Sequence, residues 1–270
     1  MIGVALACSV TAGAVCAKRP PQNMPAPVIE EGAAYAAASY SAAEAAPNHM
    51  TRPLSTDNSV IYEQNFGGGG VATGVLFGPF GVAANIASIK HRTVQEAAEL
   101  NGKIAISPLE LLQRAAAEAG LTLATQAADK AVILKPSLSV ASIDGEQLGF
   151  AVTLIVDQRP AGRDWTGQYI YQLRPQFART AVAAGLPQQD LDALSHEAAT
   201  AMVEVLRLYL ADGRGELKGT QRIKFKSPFI SRRFTFMLEG EEIATQTDRL
   251  LVRFPLSIYS LRRDAVSFSN

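Results

Sequence analysis

The sequence predicts an α+β fold, in which an antiparallel sheet is packed by two helices and is followed by a small C-terminal β module. Strand-like runs cluster along the chain and do not alternate regularly with helices, which disfavours a parallel α/β sheet. Two segments carry apolar residues at helical spacing, and the residues after 212 form short alternating runs separated by Pro and Gly. A disordered N-terminal tether is expected to precede these elements.

The composition is that of a globular protein without an overall charge. Of the 270 residues, 48% are hydrophobic, and the 25 basic residues cancel the 25 acidic ones. This length allows one large domain or two small domains with their own cores. A chain without net charge has no overall field that attracts nucleic acid, so no nucleic-acid partner is expected.

Residues 1–17 have the pattern of a secretory signal peptide. An uncharged run of small and apolar residues ends in Val15-Cys16-Ala17, a small-x-small cleavage site that lies just before two basic residues. A buried N-terminal helix is the alternative interpretation. The signal-peptide pattern predicts export to the periplasm or cell envelope and leaves outer-membrane association open.

Both cysteines of the chain, Cys8 and Cys16, lie within this N-terminal segment. A mature chain that starts near Lys18 would therefore contain no thiol and could form no disulfide. Neither cysteine follows a sequence of the Leu-Ala-Gly type, so lipid attachment is the disfavoured alternative, and a single acyl chain would anchor the protein only marginally.

Residues 18–57 are rich in Ala, Pro and Ser and lack any stripe of large apolar residues, which predicts the disordered tether. The next segment, residues 58–92, begins with a short strand at Val60-Ile61-Tyr62 and is then rich in glycine. Residues 66–89 contain no charged side chain, and Lys90-His91-Arg92 follows at once. This uncharged run is long enough to be a candidate membrane segment.

Within the glycine-rich segment, Gly70, Gly74 and Gly78 are spaced by four. In a helix they would share one face and allow a membrane or helix partner to approach closely. Against a helix, the neighbouring glycines are poor helix formers and Pro79 would break or kink it. A flexible segment that lies against the domain is the favoured interpretation, and membrane association is the alternative.

Residues 93–212 are expected to form the α+β domain, and residues 213–270 the β module. Ala97, Ala98, Leu100 and Ile104 indicate a short first helix. Ser107-Pro108-Leu109-Glu110 is a capping box that predicts a helix from Pro108 to about Ala119, ended by Gly120. The remaining expected elements are strands at 131–140, 149–156 and 164–173, a helix at 189–211, and C-terminal strands at 222–226, 233–238, 249–254 and 266–268.

The sequence assigns no catalytic, metal-binding or cofactor-binding residue, and no cofactor is expected. His196-Glu197 resembles the start of a zinc-protease helix, but Thr200 occupies the place where the second histidine ligand is required. Asp157 and Asp164 flank a turn, and turn chemistry explains these aspartates better than acid/base catalysis does. Nucleophile-elbow, Walker and dinucleotide-binding motifs are absent from the sequence.

One basic surface is a candidate for binding an anionic partner. Its residues lie on or beside the first two C-terminal strands: Arg222, Lys224, Lys226, Arg232 and Arg233. A phospholipid or nucleic acid would be attracted by such a stripe. The favoured interpretation is a solvated strand face, because four acidic residues between 239 and 248 would reduce the positive field.

The order of these parts, from the exported leader to the long second helix, resembles a loose group of uncharacterised proteobacterial envelope proteins and lipoproteins. Members carry a glycine-rich patch before a small α+β domain. The resemblance covers residues 58–211 and lies in layout rather than in a motif. It implies an accessory role in the envelope and transfers no catalytic residue.

The resulting hypothesis is a non-enzymatic cell-envelope protein that binds another protein or a wall or lipid component. A periplasmic enzyme with a site around Asp157, Asp164 and His196 is one alternative, and it requires these side chains to converge in a pocket. A membrane-associated oligomer that uses residues 66–89 is the other alternative.

Overall fold

The computed structural model describes residues 26–30, 32–39, 51–57, 59–64, 87–124, 130–143, 145–230, 237–245, 248–255 and 257–268. Over these residues, twelve strands form one mixed sheet and the chain has four helices. The predicted fold, a small antiparallel sheet with two helices and a separate β module, is therefore wrong. One large sheet dominates the molecule.

The strands are β1 (Tyr35–Ala37), β2 (Thr51–Pro53), β3 (Val60–Glu63), β4 (Leu123–Ala124), β5 (Val132–Ser142), β6 (Gln147–Asp157), β7 (Thr166–Ala178), β8 (Gln221–Lys226), β9 (Leu238–Thr245), β10 (Arg249–Phe254), β11 (Ser257–Arg262) and β12 (Ser267–Phe268). The helices are α1 (residues 87–100), α2 (Pro108–Glu118), α3 (Arg179–Ala184) and α4 (Gln188–Gly213). Across the sheet the order is β12-β8-β9-β10-β11-β7-β6-β5-β1-β4, and β3 pairs with both β5 and β2.

The predicted disordered tether is also wrong where the structure describes it. β1 lies in the sheet between β4 and β5 and is parallel to both. Tyr35 and Ala36 of this strand are buried. β2 pairs with β3 in the antiparallel sense. The sequence did not reveal these strands because three residues are too few for an alternating pattern, and their stability comes from neighbours distant in the chain.

The two main predicted helices are confirmed. Ser107 caps α2, since its hydroxyl accepts a hydrogen bond from the Glu110 backbone N–H at 3.3 Å. Gly120, just after the helix, has a φ of +70°, which glycine adopts without strain. α4 buries most of its predicted apolar stripe, including Leu194, Met202 and Tyr209. These side chains pack against the sheet in the main hydrophobic core.

The predicted hairpin is confirmed as β5 and β6, which are antiparallel along their whole length. β7 is the predicted third strand and is antiparallel to β6. All three extend beyond their predicted limits. One face of this central sheet packs against α2 and α4. Residues of both helices belong to the same core as Leu134, Phe150 and Leu173.

The C-terminal strands extend the central sheet and do not form a separate module. β11 runs parallel to β7, with Ser257 beside Gln168 and Ser260 beside Tyr171. A second hydrophobic cluster contains Ala151 and Ile170 from the central strands together with residues of the C-terminal strands: Ile223, Phe225, Phe229, Leu250, Val252 and Leu261. Since this cluster joins both sets of strands, the C-terminal strands depend on the central sheet for burial.

The glycine-rich segment cannot be compared with its prediction, because Gly70, Gly74 and Gly78 lie outside the described residues. Residues 233–236 of one predicted C-terminal strand also lie outside them. Of the helices in the described part of the chain, none combines the length and apolar character that crossing a membrane requires.

Candidate functional site

Asp157 and Asp164 have different surroundings. Asp157 is buried, and its carboxylate accepts hydrogen bonds from Arg159 Nε at 2.8 Å and Arg159 Nη2 at 2.7 Å. These bonds hold the pKa of Asp157 below its ordinary value, so this carboxyl is a weak base. Asp164 is exposed in the turn that follows.

His196 lies far from both aspartates. It is exposed on α4, thirteen residues before Tyr209 of the same helix, a distance of roughly 20 Å along the axis. The Tyr209 hydroxyl lies 3.3 Å from the Gln158 amide nitrogen, in the turn next to Asp157. His196 therefore lies at the other end of the sheet, and the three residues share no pocket.

Glutamates of β9 offset the charges of two of the three basic residues that the structure describes on the predicted basic surface. Arg222 and Lys224 lie on the exposed side of β8, and Lys226 is half-buried at its end. β9 places Glu241 opposite Arg222 and Glu239 opposite Lys224. Arg222 Nη1 also lies 3.2 Å from a Glu239 oxygen. The remaining two residues of the surface, Arg232 and Arg233, lie outside the described residues.

A buried ion pair connects the end of α4 to the C-terminal strands. Arg253 of β10 contacts both carboxylate oxygens of Asp212, with Nη2 to Oδ1 at 2.6 Å and Nη1 to Oδ2 at 3.4 Å. The Tyr169 hydroxyl donates to Asp212 at 2.8 Å, and the Leu217 carbonyl accepts from Arg253 at 3.2 Å. Burial and the adjacent carboxylate raise the pKa of Tyr169. The charges of Asp212 and Arg253 therefore cancel, and both side chains have further hydrogen-bond partners.

The N-terminal residues of the described chain pack beside this ion pair. The Val28 carbonyl accepts a hydrogen bond from Gln158 at 2.9 Å. The side chain of Ile29 lies against Gly213, where an added Cβ would come within 2.4 Å of Cγ1. The Tyr35 ring packs edge-on against Tyr209, with ring centroids 6.4 Å apart. The chain therefore enters the fold at the end of the sheet where β6 turns into β7.

A second buried carboxylate, Glu96 of α1, joins that helix to β3 and α3. Its oxygens accept from the Tyr62 hydroxyl at 2.5 Å and from the Gln64 amide at 2.7 Å, and they contact Arg179 Nη1 at 2.5 Å. Thr93 in turn donates to Gln64 at 2.6 Å. As with Asp212, the polar groups here are partnered within the protein.

Beside Arg174, in the second half of β7, lies a cleft of about 500 Å3 whose lining in the described part of the chain consists of charged residues. We call it the arginine cleft, and its lining residues are Arg174, Asp248, Arg262, Arg263 and Asp264. β7 supplies the first of these, and the short helical turn after β11 supplies the last two. The Arg263 backbone N–H donates to the Asp248 carbonyl at 2.9 Å, which joins the two walls.

Both aspartates of the arginine cleft are paired with arginines. Arg174 forms an ion pair with Asp248. Arg262 binds Asp264 through two bonds, Nε to Oδ1 at 3.0 Å and Nη2 to Oδ2 at 2.5 Å, and these bonds lower the pKa of Asp264. Arg262 also donates to the Arg174 carbonyl at 2.9 Å.

Arg263 differs from the other two arginines of the cleft. Its guanidinium lies over the ring of Phe268, 4.1 Å from the centroid. Within the described part of the chain it has no carboxylate within ion-pair distance. Stacking on an aromatic ring holds a guanidinium in place without neutralising it. Arg263 therefore presents an uncancelled positive charge to the cleft.

Arg249 lies behind the cleft wall, next to Asp248 in the chain, and is only 4% exposed. Its guanidinium stacks over the Tyr171 ring at 3.5 Å and donates to Ser260 and to the Gln172 carbonyl. Nη1 is buried and has no hydrogen-bond partner. Burial lowers the pKa of this guanidinium, since a desolvated cation is disfavoured. Unlike Arg253, Arg249 has no carboxylate in contact among the described residues.

Sequence reasoning missed the arginine cleft. Arg262 is the last residue of β11, and Arg263 and Asp264 follow it. This strand was not predicted because the run SIYSLR has serines at two of its six positions. Arg174 lies beyond the predicted end of its strand. The sequence could not predict that Arg249 lies near the exposed arginines. β7, β10 and β11 become neighbours only when the sheet forms.

Comparisons of this chain with protein-family models, with curated proteins and with solved structures find no match.

Proposed function

We propose that this chain is an exported cell-envelope protein that acts by binding an envelope component and not by catalysis. The leader pattern of residues 1–17 supports export. The wide separation of His196 from Asp157 and Asp164 removes the enzyme site that the sequence offered. The observation that carries the proposal is the arginine cleft, a charged concave surface that has more arginines than carboxylates.

The position of the cleft suits a protein attached or delivered through its N-terminus. Residues 26–30 pack beside Gln158, next to the start of β7. The cleft contains Arg174, eight residues beyond Thr166 at the start of β7, which is about 26 Å along an extended strand. The cleft therefore lies apart from residues 26–30 and leaves room for a partner there even if the N-terminal end is held at a membrane.

The region beside the N-terminal residues and the cleft also differ in how their charges are used. At the N-terminal end, Asp212 and Arg253 are buried and satisfy each other. In the cleft, Asp264 is 68% exposed and Asp248 is 53% exposed, and both lie beside arginines. Exposed, fixed charges of both signs specify the orientation of a partner more than they stabilise a fold.

Photo-crosslinking in the native host tests this proposal. A benzoylphenylalanine at position 265, where half-buried Ala265 follows Asp264 beside the cleft, should crosslink to one envelope component. The same group at position 214, which is exposed near the N-terminal end, should not. Intact mass of the recovered protein should correspond to a chain that starts near Lys18. A full-length cytoplasmic chain would overturn export, and equal or absent crosslinking from both positions would overturn the cleft as the binding site.

A further inference from the structure

We infer that the arginine cleft recognises a single carboxylate that is accompanied by an ammonium group, the pair of charges carried by an amino acid or by a short unblocked peptide. The inference rests on the proposed binding function and names the chemistry of the ligand. It comes from the charge count of the cleft, from its rim carboxylates and from the placement of Arg263.

The charge count leaves room for one negative charge. The acidic groups are Asp248, Asp264 and Glu197, whose carboxylate accepts from the Arg174 backbone N–H at 2.8 Å. The basic groups are Arg174, Arg249, Arg262 and Arg263. Among the described residues, three guanidinium groups and two carboxylates line the cleft, and Arg249 and Glu197 beside it add one charge of each sign. A ligand carboxylate at Arg263 would supply the missing negative charge at that guanidinium.

A carboxylate fits this site better than a phosphate does. Guanidinium groups bind both anions through paired N–H donors. A phosphate monoester carries close to two negative charges near neutral pH. The second charge would find no partner and would be repelled by Asp248 and Asp264, both of which are more than half exposed at the cleft. Nucleic acid, with a phosphate on every residue, is disfavoured for the same reason.

The two aspartates of the cleft, Asp248 and Asp264, can bind the ammonium group of the ligand. Each aspartate is engaged by one arginine, and a carboxylate has lone pairs for several donors. Because Asp264 is 68% exposed, it remains accessible to a donor from the ligand. The ammonium group of a ligand can therefore bind at Asp264 while the carboxylate of the same ligand binds at Arg263, the preceding residue.

Arg263 is the residue that the carboxylate should contact first. It is free of carboxylate partners in the described part of the chain and is held by the Phe268 ring. Arg174 and Arg262 would have to share donors that already bind Asp248 and Asp264. Buried Arg249 adds to the local positive field from behind, since among the described residues no carboxylate contacts it.

Calorimetric titration of the full chain at about pH 7 tests the inference with four probes. Ala-Ala carries both charges, N-acetyl-Ala-Ala only the carboxylate, Ala-Ala amide only the ammonium, and glycerol phosphate close to two negative charges. Ala-Ala should bind most tightly and N-acetyl-Ala-Ala next. The amide should not bind, and glycerol phosphate should bind more weakly than either carboxylate.

Three variants assign the binding to the proposed residues. Arg263→Gln should weaken binding of both carboxylate probes about tenfold, the effect of one lost charge-assisted hydrogen bond. Arg222→Gln makes the same change in charge at an exposed arginine on β8, and it should leave binding unchanged. Asp264→Asn should remove the preference for Ala-Ala over N-acetyl-Ala-Ala, because the partner of the ammonium is lost.

Absence of binding by both carboxylate probes, or tighter binding of glycerol phosphate, would overturn the inference. Equal effects of Arg263→Gln and Arg222→Gln would also overturn it. The proposed function fails separately, since it depends on crosslinking from position 265 in the envelope. If crosslinking occurs and Ala-Ala does not compete for the site, the binding function stands and the ligand chemistry is wrong.

Discussion

The Asp212 ion pair and the arginine cleft lie at different points along β7, at Tyr169 and at Arg174, and use the same residue types differently. Asp212 is 1% exposed, and its carboxylate is bound by Arg253 and Tyr169. In the cleft, the carboxylates are exposed, Arg263 has no acidic partner in the described part of the chain, and buried Arg249 has an unpaired nitrogen. A charge that is buried and fully partnered holds the fold together, whereas the uncancelled charge of the cleft is available for a ligand.

The largest expected effect comes from breaking the buried pair. Asp212→Asn leaves the Arg253 guanidinium buried without an opposing charge, which should lower the free energy of unfolding by about 3–5 kcal/mol. Guanidinium chloride denaturation of the variant and the parent chain measures this difference. Asp264→Asn, the same chemical change in the cleft, should cost less than about 1 kcal/mol because the ion pair is exposed. Equal losses would contradict the distinction between the two regions.

A smaller loss is expected at the second buried carboxylate. Glu96→Gln leaves Arg179 without its ion pair while the amide retains part of the hydrogen bonding to Tyr62 and Gln64. The free energy of unfolding should fall by about 2 kcal/mol. Glu99→Gln is the matched control at an exposed position of the same helix, and it should stay within about 0.5 kcal/mol of the parent chain. A loss at position 99 as large as that at 96 would contradict the assignment.

The Asp157–Arg159 pair is intermediate, because Asp157 is buried and the Arg159 side chain is 60% exposed. The pKa of Asp157 is lowered in the folded protein, first by its hydrogen bond to Arg159. Its contribution to stability is therefore complete above the unfolded pKa of about 4 and is lost as the pH falls through the lower folded value. Asp157→Asn should cost about 1 kcal/mol near neutral pH.

Denaturation curves measured across this pH range check the sign. The difference between the parent chain and Asp157→Asn should shrink as the pH falls below about 4. Arg159→Gln should remove most of the same pH dependence, because it removes the group that lowers the pKa. A difference that grows on acidification would show that Asp157 is protonated more readily in the folded protein.

The smallest effect is expected on the balanced strand face of β8. Arg222→Gln and Lys224→Gln should each change the free energy of unfolding by less than about 0.5 kcal/mol, because both side chains are exposed. Chemical denaturation is again the measurement. Losses above about 1 kcal/mol would mean that the cross-strand pairs with Glu239 and Glu241 stabilise the sheet, as the buried pairs do.

Sequence reasoning worked where one element carries its own signal. Ser107, Pro108 and Gly120 define the limits of α2, and the apolar stripe from Leu194 to Tyr209 defines α4. The β5–β6 hairpin was likewise readable from two long apolar strands. The candidate site was not readable, since its residues come from β7, from β11 and from the turn after β11.

The sequence by itself determined the long helices, the central hairpin and the charge balance of the chain, because capping and periodicity act within a few neighbouring residues. Only the tertiary structure decided that β1 joins the sheet and that β11 pairs in parallel with β7. It also decided what each arginine contacts: Arg253 forms an ion pair with Asp212, and Arg263 stacks on the Phe268 ring. Such pairings depend on contacts between residues far apart in the chain, for which local sequence carries no signal.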